Sequence, residues 1–168
     1  EDDKSWSYFA NDVDDYITYG INSGILRAEK VGLSAEGVNY EVGGANEKIK
    51  IRTHIPGTFT VYNSLAAVAV GLKLGLTRKQ IEDGIAALAS VEGRMNRVNE
   101  GQDFEVIVDY AHTPDAFLKV FESVVPGKKK RIISLFGGAG RRDETTRAER
   151  SEIGAENSDI VIITEDDS

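Results

Sequence analysis

Cysteine is absent from the chain, which excludes disulfides, thiolate metal sites and a cysteine nucleophile, and fits a reducing compartment. Histidine occurs only at His54 and His112, too few for a histidine-based metal site. Positive charge is short as well: 20 Lys and Arg against 28 Asp and Glu leave a formal net charge of −8. That balance argues against a nucleic-acid partner and against an anionic membrane surface, since both need clustered cations. A membrane span is also missing. The longest uncharged run, Thr53 to Leu72, holds His54, Pro56, Gly57 and Asn63 and changes periodicity midway. No basic segment followed by an apolar one opens the chain, so a secretory signal is not expected. Met95 is the single methionine and the first residue is Glu1, so we expect a piece of a longer protein. What remains, 168 residues with 40% apolar and 29% charged side chains, has the composition of a globular protein.

The order of patterns along the chain implies two α/β units. Tyr16–Ile21 is a short β-rich run, followed by Ile25–Leu33, the turn Ser34–Gly37 and Val38–Val42. Ile49, Ile51, Thr53 and Ile55 alternate with Lys50, Arg52 and His54, which predicts a strand with one wet face. Together these read as an antiparallel meander. After Pro56–Gly57 the period changes to 3.6. Val61, Leu65, Val68, Ala69 and Leu72 mark a helix ending near Gly75, and Thr77 with Gln80 has capping-box spacing before Ile81, Ile85 and Leu88. The join is expected at Val91–Arg94, acting as a hinge. Beyond it the pattern alternates: a buried strand Phe104–Val108, a helix N-capped by Thr113 with Pro114 and Asp115 in its first turn, a strand Arg131–Phe136, a helix around Arg147–Glu156 and a strand Asp159–Thr164. Alternation with continuous apolar strands predicts an incomplete doubly wound parallel sheet covered by helices.

Two segments can carry chemistry. Asp109 to Asp115 follows a strand and enters a helix, at the sheet edge where open α/β folds bind ligands. A carboxylate there suits a ribose hydroxyl pair, and His112 suits a base or phosphate. Equally, Asp109 and Thr113 can simply cap the helix. Gly137 to Asp143 also follows a strand, and its amides with Arg141 and Arg142 would make an anion site; equally, the glycines can form only a tight connection. Neither segment has phosphate-loop or dinucleotide-fingerprint spacing. Lys128–Arg131 reads as a solvated turn, His54 as an exposed strand residue, and Asn63 as a polar residue near a helix start. Asp2, Asp3, Asp12, Asp14 and Asp15 read as a charged surface, lacking the grammar of a calcium loop.

Taken together, Gly57-x-Phe59-x-Val61-Tyr62-Asn63-x-Leu65-Ala66-Ala67, Gly93-Arg94-Met95, Val108 to Asp115, and Phe136-Gly137 with Arg142-Asp143 resemble the Mur ligases. The motifs are most similar to the branch that adds the third stem-peptide residue in peptidoglycan synthesis. The resemblance implies that residues 1–92 end a central ATP-binding domain and that 93–168 form most of a Rossmann-like C-terminal domain. It implies an ATP- and Mg²⁺-dependent reaction in which a UDP-N-acetylmuramoyl-peptide carboxylate is activated as an acyl phosphate and attacked by an amino acid. Asn63 would touch adenine, Arg94 the ribose or phosphates, and Asp109 the ribose hydroxyls, with His112 close to the nucleotide. Arg142 would receive the amino-acid carboxylate, with Asp166 and Asp167 at the same edge. The phosphate loop, the modified lysine that helps hold magnesium and the UDP-sugar domain would lie upstream of Glu1, leaving this chain inactive by itself. The resemblance further implies a cytoplasmic monomer with no nucleic-acid partner.

Three positions depart from the family pattern. Arg141 stands where an Asp is frequent, and Ala148 where a Pro is frequent. The amino-acid-selecting Asp-Asn-Pro motif is represented only by Asp166-Asp167-Ser168. The added amino acid is therefore left open, two acidic groups favouring a basic one. Folylpolyglutamate or cyanophycin synthesis is an alternative within the same chemistry, and a non-catalytic nucleotide-binding domain is one outside it.

Overall fold

A computed structural model of the chain describes residues 2–125, 130–138 and 145–165. The chain divides into two compact units, Glu1–Asn96 and Arg97–Ser168.

In the first unit a short helix α1 (Trp6–Ala10) precedes a four-stranded sheet in the order β1 (Tyr19–Gly20), β2 (Leu26–Ser34), β3 (Gly37–Gly43), β4 (Ile49–Arg52). The expected meander holds for β2, β3 and β4, which pair antiparallel. It fails at β1, which is only two residues long and pairs parallel to β2. The Asn22–Ile25 bend returns the chain alongside β1 in the same direction, so no hairpin forms there. The β2–β3 connection is also tighter than expected, because Ser34 already pairs with Gly37. Gly37 has φ +146° and its missing Cβ leaves room for the Thr53 carbonyl oxygen, so glycine is required at this crossing.

Alternation along β3 and β4 puts Val38, Tyr40, Val42, Ile49 and Ile51 on one face, all buried. The helix α2 (Thr58–Lys73) supplies Val61, Leu65, Val68 and Ala69 to the same core, and α3 (Arg78–Ala86) adds Ile81. Burying these side chains contributes roughly 1.5–3 kcal/mol for each large one. Within this core the Tyr40 hydroxyl and Ser64 Oγ lie 2.7 Å apart, and Ser64 also donates to the Thr60 carbonyl at 2.6 Å. Burial pushes the Tyr40 hydroxyl up to about 12. α3 begins with the expected capping box, Thr77 Oγ1 accepting from the Gln80 amide at 3.3 Å and Gln80 Oε1 accepting from the Thr77 amide at 2.9 Å. Leu88, expected on its apolar face, lies past the helix end and is half-exposed, since α3 stops at Ala86.

In the second unit β5 (Asn96–Val98) pairs with β6 (Val106–Val108), and β7 (Ile133–Gly138) pairs parallel with β8 (Ile160–Glu165). Helices α4 (Pro114–Val124) and α5 (Thr145–Asn157) alternate with these strands and pack on each other. Thr113 caps α4 through its Oγ1, with Pro114 and Asp115 in the first turn as the sequence predicts. Two expectations need correction. The strand Phe104–Val108 is neither that long nor buried: Phe104 is 63% and Val108 48% exposed. The described strands also form two separate two-stranded sheets, and the helices reach β7–β8 on the Phe136 side, where Ile163 is nonetheless 67% exposed. There Phe136 packs edge-on against Phe117 of α4, with ring centroids 4.9 Å apart. The opposite face, with Ile133, Leu135, Ile160 and Ile162, is exposed among the described residues. Among the described residues α4 and α5 both meet this strand pair on the Phe136 side.

Candidate functional site at the strand ends

In the second unit Asp109 and His112 occupy the short segment between β6 and α4, at the carboxyl end of β6. Asp109 Oδ1 accepts from the Ala111 amide at 2.8 Å, a local turn that holds the carboxylate at the strand end. It does not cap α4; Thr113 does. His112 is exposed, its Nδ1 lies 3.1 Å from the Tyr110 carbonyl, and its ring meets that of Tyr110 at 5.2 Å. An exposed imidazole beside an exposed Tyr110 gives this edge two flat surfaces next to a carboxylate. Such an arrangement can accept from hydroxyl pairs and stack on a planar ligand.

The second strand end is Gly137–Gly138, which closes β7. Arg150 of α5 donates from Nη1 to the Gly137 carbonyl at 3.3 Å. The remainder of the glycine-rich loop, with Arg141, Arg142 and Asp143, lies outside the described residues, as do Asp166, Asp167 and Lys128. Lys130 and Arg131, the described part of the basic run, are exposed.

In the first unit Asn63 is exposed in the second turn of α2, and Arg94 is exposed at the end of the tight turn Val91–Arg94, whose Arg94 amide bonds to the Val91 carbonyl at 2.9 Å. His54 is exposed just after β4. Sequence reasoning missed Asp2. Read as part of a charged surface, it is instead a buried-side acceptor: its carboxylate takes the amides of Ile21 at 2.6 Å, Asn22 at 3.1 Å and Ser23 at 2.9 Å, the Ser23 hydroxyl at 3.0 Å and the Tyr62 hydroxyl at 2.9 Å. Desolvation works against the charged form, but these hydrogen bonds outweigh it and hold the Asp2 carboxyl well below the usual carboxylate range. Desolvation and the Asp2 charge together push the Tyr62 hydroxyl up to about 12. The partners lie 19 to 60 residues away, so no local motif signals the contact.

Comparison with known proteins decides the family. Residues 1–71 match the Mur ligase middle domain and residues 93–168 match the Mur ligase glutamate ligase domain. The chain belongs to the Mur ligase family. Within this family it is 41% identical over 157 residues to a Clostridium acetobutylicum protein named UDP-N-acetylmuramoyl-L-alanyl-D-glutamate–2,6-diaminopimelate ligase 1, covering 90% of this chain and 32% of the relative. It is 36% identical over 152 residues to the UDP-N-acetylmuramyl-tripeptide synthetase of Roseiflexus, covering 90% and 30%. The chain thus spans about a third of the length of these curated relatives. Among solved structures, a Mur ligase from Acinetobacter baumannii, the UDP-N-acetylmuramoylalanyl-D-glutamyl-2,6-diaminopimelate–D-alanyl-D-alanyl ligase, shares the fold with a TM-score of 0.80 at 18% identity, over 96% of this chain and 36% of that one. A folate-bound FPGS complex shares it with a TM-score of 0.68 at 16% identity, over 83% and 34%. No described helix is long and apolar enough to cross a membrane.

Proposed function

We propose that the intact protein to which this chain belongs is an ATP-dependent ligase of the cytoplasm that joins an amino acid to a UDP-N-acetylmuramoyl-peptide during peptidoglycan synthesis. The observation that carries this reading is the 41% identity to a protein named as a diaminopimelate ligase, sustained over 90% of the chain. In this reading residues 1–92 end the central ATP-binding domain and residues 93–168 belong to the C-terminal, amino-acid-binding domain. The fold likeness to the FPGS complex concerns architecture alone and does not favour folylpolyglutamate synthesis.

The chemistry follows from the weakness of a carboxylate as an acyl donor. Its oxygen leaves only once phosphorylated by ATP; the amine then attacks the acyl carbon, the C–N bond forms and phosphate departs with the C–O bond pair. The chain's own residues bind and orient. Asp109 accepts the ribose hydroxyls, a role that the turn holding its carboxylate at the strand end supports. His112 flanks the nucleotide, Asn63 presents its amide to the adenine edge, and Arg94 lies against ribose or phosphate. Arg142 grips the α-carboxylate of the incoming amino acid with a planar fork, and Asp166 with Asp167 meets the amine of a basic side chain, which favours lysine or diaminopimelate. Magnesium would neutralise phosphate charge in such a reaction. Among the described residues no three His, Asp or Glu side chains converge.

The role of Arg142 provides the test. In the intact protein Arg142→Lys should raise the amino-acid KM at least about tenfold, roughly 1.4 kcal/mol, because an ammonium does not reproduce the bidentate fork. The KM for ATP should stay where it is. A variant that loses ATP affinity and keeps its amino-acid KM would move Arg142 to the phosphates and contradict the assignment.

A further inference from the structure

The start of α2 has no local side-chain anchor. Its N-cap is Gly57, with φ +98° and no side chain to accept from the first-turn amides. Contacts to distant elements hold the first turns instead, and they fall on either side of Asn63. Ser64 Oγ lies 2.7 Å from the Tyr40 hydroxyl of β3, inside the core, and the Tyr62 hydroxyl donates to Asp2 Oδ2 at 2.9 Å. Successive residues of an α-helix project roughly 100° apart. Ties at 62 and 64 therefore grip α2 on two nearly opposite faces and fix its rotation. Asn63 falls between them and is exposed.

The Asp2 end of the tie is itself held rigidly. Its carboxylate takes the amides of Ile21, Asn22 and Ser23 and the Ser23 hydroxyl. Gly20 makes room for it: a Cβ there would lie 2.8 Å from Asp2 Oδ1 and 2.6 Å from the Ser23 carbonyl oxygen. Because the bend already orients the carboxylate, the Tyr62 hydroxyl meets a fixed, charged acceptor, and such bonds are stronger than neutral ones. The amides and the Ser23 hydroxyl are enough to close the bend. The bond from Tyr62 crosses 60 residues and arrives next to Asn63.

We propose that Asp2 is a positioning residue, which ties α2 to the Ile21–Ser23 bend through Tyr62 and so fixes where Asn63 presents its side-chain amide. The functional consequence rests on the proposed reading of Asn63 as the adenine contact. Tyr62→Phe keeps the ring, leaves the bend's donors on Asp2 and removes only the tie. In the intact protein it should raise the KM for ATP about fivefold, the scale of one ordinary hydrogen bond, with kcat and the amino-acid KM unchanged. In an Asn63→Ala background the same substitution should add nothing further, since residues acting through one contact are not additive. In the purified chain, Asp2→Ala and Tyr62→Phe should each shift the side-chain amide resonances of Asn63. With Asn63→Ala itself raising the ATP KM, an unmoved ATP KM in Tyr62→Phe would overturn the proposal, as would a full fivefold rise in the Asn63→Ala background. A melting temperature lower by many degrees, with kcat and both KM values worsening together, would make the tie purely structural and overturn it too. If Asn63→Ala leaves the ATP KM where it is, the adenine reading of Asn63 falls. The Asn63 resonances then decide the positioning role: shifted in both variants they uphold it, and unmoved they overturn it.

Discussion

Asp2 gathers hydrogen bonds from donors that lie 19 to 60 residues away in sequence. Three successive amides, a serine hydroxyl and a tyrosine hydroxyl all donate to one carboxylate. The consequence for acid stability has a definite sign. Because the folded carboxyl is held below its ordinary value, it contributes stability above the unfolded value of about 3.9 and loses it as the pH falls further. Asp2→Asn turns an amide donor toward donors and should cost about 1–2 kcal/mol at pH 7. The gap between wild type and variant in urea unfolding should narrow between pH 5 and pH 2. A gap that stays constant across that range would show that the Asp2 charge does not hold the bend.

At the scale of elements, the local signals were legible and the long-range ones were not. Thr77 with Gln80, and Thr113 with Pro114 and Asp115, announce their helices because a cap is satisfied within four residues. Thr77→Ala should lower stability by about 1 kcal/mol, read as a shift in denaturation midpoint with an unchanged slope; no shift would mean the α3 start is held by Lys50, whose amide donates to Glu82 at 2.8 Å, and not by its cap. The strand β1 was misread because Tyr16–Ile21 has β-rich composition, while pairing direction depends on the bend that follows. Phe104–Val108 was misread because an apolar run specifies a strand to be covered and does not say what covers it. The strand-end position of Asp109 and His112 was legible, since a β-rich apolar run followed by a helix cap fixes both sides of the segment. The Asp2 contact was not, because its partners are far away in sequence.

At the scale of the whole molecule, the chain carries two consecutive Mur ligase domain matches and about a third of the length of its relatives. Its sequence contains no G-x-x-x-x-G-K-[ST] segment to cradle the β- and γ-phosphates, so the chain by itself should turn over no ATP above a buffer blank. The central claim is that the intact protein uses ATP to couple an amino acid to a muramoyl-peptide, with Asp109 holding the nucleotide. The most direct measurement is mass-spectrometric detection of product from the intact protein given ATP, magnesium, the UDP-N-acetylmuramoyl-dipeptide and either diaminopimelate or lysine. The account predicts a product heavier by one amino-acid residue, formed with one ADP released, and a sharp rise in the ATP KM for Asp109→Ala. ATP-dependent product from neither amino acid, or full ATP affinity in Asp109→Ala, would contradict it.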